Sequence, residues 1–196
     1  MVLPAYIDES TGEITDGEAW VAIASTTLGS DAATVTFTSP ADGGSTSWDQ
    51  FMDLVIVSYT RSDAGSAIRY LHMNFNNSSG ARHAVQWLYG DGSAAYASAS
   101  SGSTSELPIG VVLGGGAAAN EFSSTVTHLF DINSGKYKSG ITMSAGDSNG
   151  DGEVLINAVT WNDQAPITEI DLTTYTDDFV AGCTFSLFGV LPRMVA

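Results

Sequence analysis

The sequence predicts an all-β protein: an antiparallel, jelly-roll-like β-sandwich preceded by an extended N-terminal arm. Three observations carry this. Apolar residues recur at every second position in one segment after another, the period of a half-buried strand. Turn-forming clusters of Gly, Asn, Asp and Pro break these segments at intervals of roughly 8–12 residues. No stretch shows the spacing of an amphipathic helix.

Residues 1–18 read as an anchoring arm, with Asp8, Glu9, Glu13, Asp16 and Glu18 set among Gly12 and Gly17 and no period. Residues 19–196 then read as a single sandwich domain. Trp20–Ser25 is a first strand, closed by a turn at Gly29-Ser30-Asp31. Ala33, Val35 and Phe37 alternate with Thr34, Thr36 and Thr38, a strand with one threonine face. Leu54–Tyr59 is apolar on both faces and suits a central strand covered on both sides. Leu71, Met73 and Phe75 mark another. Val85, Trp87 and Tyr89 share a face in the next, which ends at Gly90-Asp91-Gly92.

Residues 93–106, almost all Ser, Ala and Gly, read as a long surface loop with a weak strand near Tyr96. Leu107–Leu113 is apolar and stops at three glycines. Phe122, Val126, Phe130 and Ile132 form the expected inward face of a long strand, with His128 beside them. Ile141 with Met143, Val154–Trp161 and Ile170 with Leu172 supply three more strands. The last, Phe179–Val190, has Phe179, Ala181, Cys183, Phe185 and Leu187 on one face and Thr184 and Ser186 on the other. It reads as the closing strand, whose bulky face needs a preformed partner surface. The inner faces are expected to carry the aromatic residues.

The 196 residues, 43% of them hydrophobic, are enough for one domain with a sizeable core. The charge is −16, from 22 acidic and only six basic residues. That balance excludes nucleic acid as a direct partner, because phosphates demand cations. It likewise disfavours an anionic membrane surface. No segment has the ~20 apolar residues of a membrane-spanning helix. The N-terminus lacks the basic and apolar regions of a signal peptide, so synthesis without export is expected. The single cysteine, Cys183, lies on an apolar face and reads as a buried, inert thiol.

Few residues suggest chemistry. Asp147-Ser-Asn149-Gly-Asp151-Gly matches the first half of a calcium loop, in which oxygens at alternate positions converge on a hard cation. Asp147, Asn149 and Asp151 would be the ligands. The twelfth position is Ala158 and not the bidentate glutamate, and the same residues are ordinary for a tight turn. No other cofactor is implied. His72, His83 and His128 lack metal-ligand spacing. There is no G-x-S-x-G elbow for a serine hydrolase. Asp177 and Asp178 are adjacent and would point to opposite sides of a strand, which argues against a carboxylate pair for glycoside cleavage. Trp48, Trp87 and Tyr89 could stack on a sugar ring, with Trp48 expected to be the most exposed.

Two segments carry a resemblance. Trp20–Phe37 contains Ala-Ser-Thr-Thr-Leu-Gly-Ser followed by Ala-Ala-Thr-Val-Thr-Phe. Ile167-Thr-Glu-Ile-Asp-Leu is followed by the closing Phe179-Val-Ala-Gly-Cys-Thr-Phe-Ser-Leu-Phe-Gly-Val. Together these resemble small bacteriophage virion structural proteins, which often end in Phe-x-x-Gly-Ser-Thr-Phe-Ser-Leu-Tyr-Gly-Ile. Here Cys183, Phe188 and Val190 replace Ser, Tyr and Ile. Leu88-Tyr-Gly-Asp-Gly-Ser93 is loosely similar as well. The resemblance implies a non-enzymatic component of the particle exterior, a capsid decoration or a head or tail fibre protein, located in the virion and made in the host cytoplasm. Its partners would be other virion proteins and further copies of itself, a trimer first among the oligomers. An alternative is a receptor- or carbohydrate-binding module of a tail fibre that contacts a host surface glycan through Trp48, Trp87 and Tyr89.

Overall fold

The computed structural model describes residues 20–40 and 47–191. The expected arm, residues 1–18, lies outside them. The described chain is an all-β antiparallel sandwich of two unequal sheets. Its strands are β1 (Trp20–Thr27), β2 (Thr34–Thr38), β3 (Asp53–Thr60), β4 (Ile68–Phe75), β5 (His83–Gly90), β6 (Ala95–Thr104), β7 (Leu107–Leu113), β8 (Ser123–Phe130), β9 (Lys138–Gly146), β10 (Glu153–Trp161), β11 (Glu169–Thr173) and β12 (Thr184–Val190). One 3-10 turn, Trp48–Gln50, is the only helical element among the described residues.

The large sheet has the order β1-β12-β3-β8-β9-β10-β5-β6 and the small one β2-β11-β4-β7. The ladders β1·β12, β2·β11, β3·β8 and β4·β7 nest inside one another. The chain therefore runs as one long folded ribbon whose strand pairs drop alternately into the two sheets. That is the wrapping of a jelly roll, with β1-β12-β3-β8 facing β2-β11-β4-β7. The remaining strands form two inserted hairpins. The β5–β6 hairpin sits at the tip of the ribbon between β4 and β7, and β9–β10 lies between β8 and β11. They join through the β10·β5 ladder and double the width of the large sheet.

Where the ribbon packs on itself, the alternation works as the sequence suggests. Val35 and Phe37, Leu71, Met73 and Phe75, and Ile170 and Leu172 point from the small sheet onto Leu54, Ile56, Phe185 and Leu187 of the large one. All nine of the strand-interior partners Leu54, Ile56, Leu71, Met73, Phe75, Ile170, Leu172, Phe185 and Leu187 are at most 1% exposed. Truncating such a side chain, Phe185→Ala for example, removes about 3–5 kcal/mol.

The closing strand is shorter than its pattern suggests. Only Thr184–Val190 is paired, and it is an interior strand between β1 and β3. Phe179 is buried and bridges Ala32 and Ser62. The chain then turns through Gly182 (φ 93°), which leaves Ala181 exposed. The Ser/Ala/Gly segment is also more regular than expected. Its residues 95–104 form β6, the longest strand, because β5 offers a free edge for it to pair with.

The inner faces of β8 and β9 are the main departure. Beside Leu129 and Lys138 at their ends, their buried side chains are Ser123, Thr125, Thr127, Thr142 and Ser144, while Val126, Phe130, Ile141 and Met143 face outward. The cause is β7. It is the edge strand of the small sheet, and it crosses close over β8, β9 and β10 with one row of backbone groups unpaired. Hydroxyls of the large sheet supply the partners. Val111 N–H donates to Ser144 Oγ (2.8 Å), Thr142 Oγ1 donates to the Ile109 carbonyl (2.6 Å), and Asn157 Nδ2 donates to the Pro108 carbonyl (3.0 Å). Thr125 Oγ1 and Ser144 Oγ share a further bond at 2.7 Å. Buried backbone groups must be paired, so this stretch needs polar side chains inside. The approach is so close that a Cβ on Gly110 would lie 2.4 Å from Thr125 Oγ1.

Candidate functional site

Two features of the widened sheet are candidates: its outer face and the cleft under its far end.

The outer face is read directly from the register. Val57 lies opposite Val126, Val126 opposite Met143, Met143 opposite Ile156, and Ile156 opposite Leu88. This apolar row crosses five adjacent strands, with Ser186 and Ala97 continuing it at either end. A second row runs Tyr59, Ser124, Ala145, Val154, and a third Val55, His128, Ile141, Ala158, Gln86. Exposure is high for single residues: Met143 63%, Val154 67%, Leu88 52%. At one corner Trp20 meets Phe188 (6.1 Å between centroids), and His128 stacks on Phe130 (4.1 Å).

None of these three rows holds an Asp, Glu, Lys or Arg. The nearest acid on that side, Asp53, is buried and accepts from His128 Nε2 (2.9 Å) and the Asp131 N–H (2.9 Å). Five strands ~4.8 Å apart and three rows of outward residues make a neutral face of roughly 500 Å². That is at the upper end of the apolar patches a monomer leaves in water, and patches of that size often serve a function.

The cleft opens where the inserted strands run past the ribbon. Tyr70 and His72 of β4 form one wall, and Trp87 and Tyr89 of β5 with Leu155 and Asn157 of β10 form the other, around a cavity of about 370 Å³. Tyr70 Oη donates to the Glu153 carboxylate (3.1 Å) at one end. Past His72 and Trp87 the cleft continues to Glu106 and Tyr175. Burial pushes the Glu153 carboxyl up. Burial, and then the Glu153 charge, push the Tyr70 hydroxyl up to about 12. Burial lowers His72 to about 4, so its imidazole is neutral at pH 7 despite Glu106 Oε2 at 3.7 Å.

The sequence-derived sites fare unequally. Trp87 and Tyr89 do come together, in this cleft and not on a flat platform. Trp48 does not join them. It is 1% exposed, packed in the core beside the 3-10 turn, and the expectation that it would be the most exposed aromatic is corrected. Its flanking loop is polar, but the ring itself fills the end of the sandwich. Asp147, Asn149 and Asp151 fall in the β9–β10 connection as a tight turn. Asn149 (φ 55°) and Gly150 (φ 89°) both adopt left-handed backbone, and the Asp151 N–H closes on the Ser148 carbonyl (3.1 Å). Asp147 Oδ1 accepts the Gly150 N–H (2.8 Å), and Val154 is two-thirds exposed. This is the geometry of a primed hairpin turn. Among the described residues no group of three or more Asp, Glu, His or Cys is placed to hold a metal.

Asp177 accepts from Arg69 Nε (2.7 Å), while the Asp178 N–H donates to Asp63, so the two aspartates have separate structural roles. Cys183 is buried. Its Sγ accepts the Arg61 N–H and donates to the Arg61 carbonyl, both at 3.2 Å, and burial pushes the thiol up. It thus performs the hydrogen bonding a serine would. Sequence reasoning missed Asn157 and Glu153, which the β10·β5 pairing brings to Trp87 and Tyr89, and Tyr70, which the small sheet places across the cleft.

No protein-family model matches this chain, and neither a curated protein nor a solved structure matches it.

Proposed function

We propose that the protein is a non-enzymatic structural component of a bacteriophage virion, a capsid decoration or a head or tail fibre protein on the particle exterior, and that its copies associate through the outer face of the large sheet. The observation that carries the assembly part is that face. A chain of charge −16 keeps one broad surface free of charged side chains and rich in Val, Ile, Leu and Met. Elsewhere two copies repel each other. Here they can meet without opposing like charges, and the roughly 500 Å² per copy is about two thirds of the half-share of a standard interface, about 800 Å². The virion part rests on the resemblance of Trp20–Phe37 and Ile167–Val190, and a jelly roll is compatible with it without requiring it.

Light scattering on the purified chain tests association. The expected result is a homo-oligomer for the native chain, a trimer being the first expectation, and a monomer for Met143→Glu with unchanged circular dichroism. A native chain that stays monomeric at high protein concentration overturns the reading. Residues 1–18 would anchor the oligomer to its particle, and a truncation that folds and oligomerises but no longer attaches tests that role separately.

A further inference from the structure

The cleft has no part in the association just proposed, and its chemistry points elsewhere. Its middle is aromatic and apolar: Tyr70, Trp87, Tyr89 and Leu155. A carboxylate stands toward each end, Glu153 bonded to Tyr70 and Glu106 beside His72. No Lys or Arg lines it among the described residues. Asn157 is 2% exposed and forms part of the wall. Its Nδ2 is spent on the Pro108 carbonyl, and its Oδ1 has no partner.

We propose that this cleft binds a linear aliphatic polyamine, with its methylenes lying along Trp87, Tyr70 and Tyr89, one ammonium at Glu153 and another at Glu106. Each part of the ligand answers a part of the wall. Ammonium groups are drawn to aromatic faces and to carboxylates that have no counter-charge. Methylenes suit the apolar middle, and a cavity of about 370 Å³ is within the usual range for a small ligand. An acidic ligand is excluded by the same carboxylates. A neutral saccharide would stack on Trp87, but it leaves both carboxylates without counter-ions.

Isothermal titration of the full chain with spermidine decides the matter, run beside Glu153→Gln, Trp87→Ala and Asp147→Asn. The last removes an acid of the exposed hairpin and controls for diffuse attraction to a −16 surface. The expected result is saturable one-site binding, weakened about tenfold or more by Glu153→Gln and by Trp87→Ala and unchanged by Asp147→Asn. Equal weakening by all three variants means diffuse attraction only and overturns the proposal. No binding also overturns it, as does saturable binding of a neutral oligosaccharide that Glu153→Gln leaves intact. Circular dichroism of each variant separates lost binding from lost fold. The result is independent of whether copies associate through the outer face.

Discussion

The small sheet and the middle of the β8–β9 hairpin obey the same period-two pattern and use it in opposite directions. In β4 the apolar residues Leu71, Met73 and Phe75 go inward and are at most 1% exposed. In β9 the apolar residues Ile141 and Met143 go outward, and Thr142 and Ser144 take the interior. The difference is what lies above each strand. β4 faces side chains across the sandwich and gains by burying hydrocarbon. β9 lies under the unpaired backbone of β7, and an apolar residue there would strand N–H and C=O groups. Alternation thus establishes that a strand has two faces, while the neighbour decides which face is inside.

The comparison can be broken most severely at Gly110. A methyl there meets Thr125 Oγ1 at 2.4 Å and Ser144 Oγ at 2.9 Å, so Gly110→Ala must push β7 off that hairpin. Chemical denaturation is expected to show a loss of about 2–3 kcal/mol. Next comes Thr142→Val, which keeps the shape but orphans the Ile109 carbonyl and is expected to lower stability by about 1–2 kcal/mol in the same assay. Its neighbour supplies the contrast. Met143→Glu, on the other face, should alter the stability of the monomer by no more than about 0.5 kcal/mol while abolishing association. Were Met143→Glu to unfold the chain, the outward assignment of that row would be wrong.

Acidification examines the cleft. The folded-state value of His72 lies below that of the unfolded chain, so on acidification the unfolded state takes up the proton first. Stability should fall as pH drops from about 6.5 to about 4 and level off below. About 3 kcal/mol is expected from this group, with burial as the cause. His72→Asn should flatten that limb of the profile. The smallest effect concerns ionic strength. Screening relieves repulsion between −16 copies without weakening apolar contact, so raising salt from 0.05 to 0.5 M (roughly 14 Å to 4 Å of Debye length) should tighten association a few-fold by light scattering. Weaker association in salt would mean that ion pairs hold the copies together.

Much of the fold was legible beforehand. Val35 with Phe37, Leu71 through Phe75, and Ile170 with Leu172 announce their strands and their inward side, because side chains oppose them. The double covering expected of β3 from Leu54–Tyr59 is only partial, since Val57 and Tyr59 face outward and are 38% and 47% exposed. The sides of β8 and β9 were not legible, since nothing local encodes a backbone arriving from residues 107–113. β6 was obscured by composition, as alanine and serine pair in a ladder without marking a face. The cleft was half legible: Trp87 and Tyr89 share parity on one strand, whereas Asn157 and Glu153 join them only through a pairing between two distant hairpins, and Tyr70 only through the packing of one sheet on the other. Trp48 misled because its neighbours in sequence are polar while its own ring turns inward.

The nesting of the ribbon has one more consequence. Trp20 pairs with Val190, so the chain enters and leaves the sandwich side by side, at the aromatic corner of the large sheet. A peptide fused directly to Trp20 or to Leu191 would emerge from the same spot on every copy. Joining Leu191 to Trp20 by a short linker and reopening the chain between the exposed Asn149 and Gly150 should give a circular permutant with the same sandwich, since that turn lies at the surface.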